Sequence, residues 1–235
     1  MRLILLCVMC FLFLNCEDKK TDTKKPSKIV QNTSEEKKVA KKDSVIEPVR
    51  EFPLLTDENA MEFFLEYEKH NKENKVRIST HFGDIDILLY DKTKFHRANF
   101  IFLTKQGYFD NTQFYRIVNN FIIQGGNTDD PKVKRKRKKI GKYLLPTDTK
   151  RGYKHDRGSL SMPSGAIENP YKLASPYQFF IVQKKDGAYH LDGDYTIFGK
   201  VIRGMDVVDE IAKQETDNAE WPLHNVYITK VEIIE

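Results

Sequence analysis

Between residues 76 and 234 the chain is written in short apolar runs separated by turn signals. Residues 76–81 alternate apolar and polar, Phe82-Gly83-Asp84 reads as a turn, and residues 85–90 alternate again before becoming wholly apolar. Period-two alternation buries one face of a strand, and two such runs joined by a tight turn make a hairpin. Further short runs at 114–117, 121–124, 158–162, 179–183, 197–201 and 226–234 read as strands. Only two stretches in this region carry helical spacing: 95–106, stopped by Gly107, and 205–213. Many short strands with few helices suggest a mainly β chain closed as an antiparallel barrel and capped by helices.

The cysteines point to the other end of the chain. Cys7, Cys10 and Cys16 are the only three, so nothing after residue 16 can form a disulfide, a thiolate zinc site or a thiol nucleophile. His70, His81, His96, His155, His190 and His224 are scattered without ligand spacing, and no metal or cofactor is expected. Met1-Arg2 precedes an apolar stretch, residues 3–14, that is too short to span a bilayer but suits the core of a signal peptide. The stretch ends at Phe13-Leu14-Asn15-Cys16 and turns charged at Glu17. This resembles a bacterial lipoprotein signal, with residues 1–16 ending at the lipidated Cys16, although Asn15 stands where a small residue is usual. It implies a protein held by acyl chains at a membrane of the bacterial envelope. Residues 17–55 are read as a flexible charged tether, since Lys, Glu, Ser and Thr there cannot offset the entropy of ordering. Within 56–75 an extra helix is expected over 57–69, capped by Thr56, with Met61, Phe64 and Leu65 on one face.

The formal charge of +5 is local in origin. Residues 132–139 carry seven positive charges, and without them and Arg2 the rest of the chain is net negative. The run is read as a solvated loop, with an anionic partner (lipid headgroups, lipopolysaccharide or an acidic client) as the sharper alternative. No RNA-binding module accompanies it, so nucleic acid is not expected.

Several segments, taken in order, carry a family likeness. Asn99-Phe100, Gly107-Tyr108-Phe109-Asp110-Asn111-Thr112, Phe114-Tyr115-Arg116 and Asn120-Phe121-Ile122-Ile123-Gln124-Gly125-Gly126-Asn127 closely resemble the signature of the cyclophilin-type peptidyl-prolyl cis-trans isomerases. The likeness continues through 155–162, Gln178-Phe179-Phe180-Ile181, Leu191-Asp192-Gly193, 198–201 and 204–208, and so covers residues 76–235. It implies an eight-stranded antiparallel barrel with a helix closing each end and a substrate groove on the barrel's outer face.

The resemblance also implies the site. Arg116 is the catalytic candidate: as the X-Pro amide twists, its nitrogen gains a lone pair that a fixed cation can stabilise, and the planar guanidinium suits that task. Phe121, Ile122, Phe180 and Leu191 would wall the proline pocket. Gln124 would position the arginine and touch substrate, with Gln178, His190 and Tyr195 around the groove. Ser164, in Pro163-Ser164, stands where Ala-Asn is usual in the family, and the segment 165–177 is longer than in the common form. His190 replaces a Trp common in eukaryotic members, which implies weak cyclosporin binding because the drug uses the indole N–H.

The expected partners are proline-containing segments of exported proteins, and the chain is read as a monomer. Two other functions stay open at this point: a barrel that binds proline peptides with little catalysis, and a surface lipoprotein that binds polyanions through the basic run.

Overall fold

A computed structural model describes residues 50–165 and 169–235. The signal sequence, Cys16 and all but the last six residues of the expected tether lie outside the described residues.

All eight expected strands are present. They are β1 (Lys75–Thr80), β2 (Gly83–Leu89), β3 (Thr112–Val118), β4 (Ile122–Asn127), β5 (Ser159–Met162), β6 (Phe179–Val182), β7 (Thr196–Arg203) and β8 (Val226–Ile233). They close in the order β1-β2-β7-β5-β6-β4-β3-β8, and every neighbouring pair is antiparallel. Closure leaves no edge unpaired. Val76, Ile78, Ile85, Ile87, Phe114, Ile123, Phe179, Ile181 and Phe198 fill the interior at 2% exposure or less. Each such burial contributes about 1.5–3 kcal/mol.

The helices are α1 (Ala60–His70), α2 (Lys94–Lys105), α3 (Pro131–Ile140) and α4 (Met205–Ala212). Helix α2 follows the C-terminal end of β2, whereas a Cβ on Gly83, at the start of that strand, would lie 2.9 Å from Val207 of α4. The two helices therefore cover opposite ends of the barrel. Helix α1 packs on α2 rather than over a groove: Phe52, Phe63, Phe64 and Tyr67 surround Phe102, with ring centroids 5.0–5.9 Å away. Buried Arg97 of α2 ties the pair together, reaching Glu68 of α1 at 2.7 Å and Asp91 at 2.9 Å.

Four expectations need correction. Helix α1 starts at Ala60, not residue 57, and its N-cap is Asn59, not Thr56: Asn59 Oδ1 accepts the Thr56 N–H at 2.8 Å and Asp57 Oδ1 accepts the Leu144 N–H at 2.7 Å, so residues 57–59 form a turn ahead of the helix. Its inward face is Ala60, Phe63, Phe64 and Tyr67, while Leu65 is 43% exposed. The tether does not extend to residue 55: Leu55 is fully buried and bridges Gly141, and Phe52 packs on Phe102. Lastly, the basic run 132–139 is helical. Asp130 Oδ1 accepts the Lys132 N–H at 2.7 Å, Pro131 sits in the first turn where no N–H is needed, and Val133 and Ile140 are buried. Gly141 ends the helix at φ 141°, where a Cβ would lie 2.0 Å from the Leu55 carbonyl oxygen.

One buried cluster joins the barrel, its lids, α1 and α3, and all its members lie between Leu55 and Val231. This cluster lies within one compact unit, Val49–Glu235, which has the buried core expected of a domain that folds by itself.

Candidate active site

The site begins with an irregularity in β3. Phe114 pairs with Gly125 and Arg116 with Gln124, so Tyr115 is an extra residue with no partner on β4. Strict alternation would put Arg116 on the same face as Phe114, inside the barrel. The bulge resets the phase: Phe114 and Ile117 are buried, and Tyr115 and Arg116 both stay partly exposed. The three-residue turn 119–121 then presents Phe121, with Asn120 at φ 58°, a conformation Asn tolerates.

A pocket of about 320 Å³ opens on the outer face. Arg116, Phe121, Ile122, Gln124, Pro163, Ser164, Phe180, Leu191 and Tyr195 line it. Its apolar residues are not barrel core. Ile122, Phe180, Val182 and Ala188 form a separate small cluster, with Phe121, Leu191 and Tyr195 packed against it. Phe180 meets the Tyr195 ring edge-on at 5.8 Å, and His155 stacks on Phe180 at 5.9 Å and 10°. Asp192 Oδ1 fixes His155 by accepting its backbone N–H at 2.9 Å and bonding Nδ1 at 2.7 Å. Burial lowers the His155 pKa while Asp192 opposes the shift, so the ring under the pocket is mainly neutral at pH 7.

The polar side of the pocket differs from expectation in one respect. Gln124 stands across from Arg116 but gives its Nε2–H to the Tyr115 hydroxyl, which in turn donates to Gln178 Oε1 at 2.9 Å. Arg116 is held instead by Glu220, whose Oε2 accepts from Nε at 2.6 Å. Its terminal nitrogens have no partner among the described residues. Glu220 is itself well placed: its N–H donates to the Asp217 carbonyl at 3.0 Å and its carbonyl accepts the Ile117 N–H at 2.9 Å.

Of the residues expected from sequence, Arg116, Phe121, Ile122, Gln124, Ser164, Phe180, Leu191 and Tyr195 meet at the pocket. Gln178 stands behind it, anchoring Tyr115, and His190 stacks on Phe121 at 5.3 Å without lining it. Ser164 Oγ accepts from Asn169 Nδ2 at 3.1 Å. Pro163, noted in the sequence beside Ser164, also lines the pocket, whereas Glu220, Tyr115 and His155 were not expected as site residues. Tyr115 and His155 lay inside quoted motifs, but nothing local marks Glu220. Among the described residues no three His, Asp or Glu side chains are grouped to hold a metal.

Comparison with known proteins agrees with this geometry. Residues 75–233 match the family model described as cyclophilin type peptidyl-prolyl cis-trans isomerase/CLD. The chain belongs to the cyclophilin-type isomerase family. It is 35% identical over 163 residues to peptidyl-prolyl cis-trans isomerase CYP18-2 of Arabidopsis thaliana, covering 68% of this chain and 94% of that one. Against peptidyl-prolyl cis-trans isomerase-like 2 of Rhizopus delemar the identity is 36% over 169 residues, 71% of this chain. The chain spans only 30% of that longer protein. A Cryptosporidium parvum cyclophilin crystallised in the presence of the dipeptide Ala-Pro superposes with a TM-score of 0.57 at 32% identity, covering 68% of this chain and 99% of that one. As a cyclophilin, the chain is a peptidyl-prolyl cis-trans isomerase.

Proposed function

We propose that this pocket accelerates cis/trans rotation of X-Pro bonds in exported polypeptides, and that lipid on Cys16 holds the enzyme at a membrane of the bacterial envelope. Amide resonance sets a barrier of roughly 18–20 kcal/mol, and no nucleophile or cofactor is needed to lower it. Phe121, Ile122, Phe180 and Leu191 hold the proline ring and exclude water. Arg116, fixed through Nε, turns its remaining nitrogens to the prolyl carbonyl and to the amide nitrogen as it becomes pyramidal. The cation stabilises the twisted state more than the planar one, and only that difference accelerates the step.

The observation that carries this reading is the placement of Arg116 beside the apolar pocket that holds Phe180 and Leu191. Crystallisation of the Cryptosporidium parvum cyclophilin in the presence of Ala-Pro is in keeping with proline as the recognised ring. Membrane attachment and exported clients rest on residues 1–16.

Isomerisation of a short X-Pro peptide by residues 50–235 tests the mechanism. Arg116→Ala at matched folding should lower kcat/KM by about 10²–10³. Equal rates would remove Arg116 from the reaction, and no acceleration by the parent would make the barrel a binding module. Acyl labelling of the full chain, lost in Cys16→Ala, tests the anchor.

A further inference from the structure

Seven of the ten residues of α3 are basic, and they divide into two sets. Arg137 lies over the Tyr177 ring at 4.6 Å, and Lys136 Nζ donates to the Gly107 carbonyl at 2.6 Å, on the side where Val133 and Ile140 are buried. At 3.6 residues per turn the other five fall within an arc of roughly 160° on the opposite side. Lys132, Lys134, Arg135, Lys138 and Lys139 are all exposed there. Lys134 reaches Asp129 at 2.9 Å, and the other four have no acidic partner among the described residues.

Two further observations bear on what this face meets. The first is the charge of the unit that carries it. Residues 50–235 have a formal charge of +2, and without the seven cations of α3 they would have −5. The helix therefore carries the cations that reverse the sign of an otherwise net-negative unit, and their concentration on one side orients that unit on an anionic plane. Residues 17–49, with nine lysines and seven acids, do not offer a compensating acidic segment. The second observation is where the polypeptide enters the unit. The Leu55 N–H donates to the Ile140 carbonyl at 2.9 Å, the Lys142 N–H donates to the Leu55 carbonyl at 3.0 Å, and the Arg50 guanidinium bonds the Lys139 carbonyl. The first described residues, 50–55, thus run against the C-terminal end of α3.

We propose that the exposed face of α3 is a docking surface for anionic phospholipid headgroups. The proposal takes its setting from the membrane reading above, but its geometry and its test are independent of Cys16. A surface of fixed negative charge meets a flat cationic helix along its length and repels the remaining negative body. An acidic peptide would engage the same charges without using that asymmetry or the neighbouring chain. Each Lys or Arg brought within a Debye length of such a surface adds about fivefold to binding, so this helix can hold the domain down while the anchor keeps it near. No α3 residue lines the proline pocket, so docking leaves the pocket unobstructed by the helix itself.

The test is co-sedimentation of residues 50–235, which lack Cys16, with vesicles of phosphatidylcholine alone and with vesicles in which roughly one lipid in three is phosphatidylglycerol. Binding should require the anionic lipid and weaken as NaCl is raised from about 0.1 to 0.5 M. The variant K132Q/R135Q/K138Q/K139Q should bind at least about a hundredfold more weakly. It keeps Val133, Lys136, Arg137 and Ile140, and should isomerise a soluble X-Pro peptide at the parental rate, showing that the fold is intact. The proposal is overturned if the parent binds both vesicles equally, if it binds neither, or if the variant binds like the parent. Tighter capture of poly-glutamate than of vesicles at equal charge would assign the face to acidic polypeptides and overturn it as well. Loss of acyl labelling in the full chain would sink the anchor alone and leave this result standing.

Discussion

The Arg116 guanidinium is held through Nε by Glu220 Oε2 at 2.6 Å, across 104 residues of sequence. Glu220 sits between α4 and β8, in a turn tied by Asp217 Oδ1, which accepts the N–H groups of Ala219 and Trp221. The carboxylate takes up Nε and leaves the terminal guanidinium nitrogens of this pocket-lining residue without a partner among the described residues. It does not touch the pocket itself, so Glu220 is a positioning residue.

Glu220→Ala should therefore lower kcat by about three- to tenfold with a smaller change in KM, because the cation must be ordered anew in each turnover. Glu220→Gln keeps an acceptor oxygen and should recover most of the loss. Both partners are partly exposed, so stability should change by no more than about 1 kcal/mol. Steady-state kinetics on one X-Pro peptide check this, and a Glu220→Ala enzyme with parental kcat would show that β3 alone aims the arginine.

Stability should fall as pH drops from about 6.5 toward 4. His96, in α2, is buried beside Phe198, and burial pushes its pKa down to about 4, with Asp148 pulling weakly the other way. Between these values the unfolded chain takes up a proton that the folded chain refuses, so the folded state loses ground as the solution becomes more acidic. Full stability returns above pH 6.5, and the total effect is about 3 kcal/mol. His155, also lowered by burial, acts in the same direction. Asp86 does not share the window. Arg77, with Arg203 beside it, holds its carboxyl at about 2, so its contribution is lost only at lower pH. Urea unfolding at a series of pH values measures the slope, and His96→Leu should flatten it between pH 6.5 and 4.

Cyclosporin should inhibit the parent weakly. His190 occupies the rim and stacks on Phe121 with 24° between the rings, which keeps an aromatic surface but does not supply an indole N–H. His190→Trp should restore that donor and tighten inhibition by about tenfold. Titrating the drug against isomerase activity checks this, and equal inhibition of parent and variant would move the determinant elsewhere in the groove.

The barrel was legible in the sequence because its signals are local. Alternation through Val76–Thr80 and Gly83–Leu89, with a glycine at the turn, depends only on neighbours a few residues apart. The same is true of α2, which ends where Gly107 takes φ 57°. Likewise the ordered motifs were enough to bring Phe121, Ile122, Phe180 and Leu191 to one pocket. Helix α3 had a local signal too, in Asp130-Pro131 at its start and Gly141 at its end, but the density of charge obscured it. Val133 and Ile140 show why a helix forms: it needs only one narrow buried stripe.

Local sequence decides which residues alternate and which turn. The direction of Arg116 was decided by tertiary structure, since the bulge at Tyr115 exists only relative to β4. So was its partner: Glu220 reaches it because β8 pairs with both β1 and β3, which brings the preceding turn beside the pocket. Such contacts depend on closing the barrel, and no pattern within a few residues encodes the distance between two points that closure brings together.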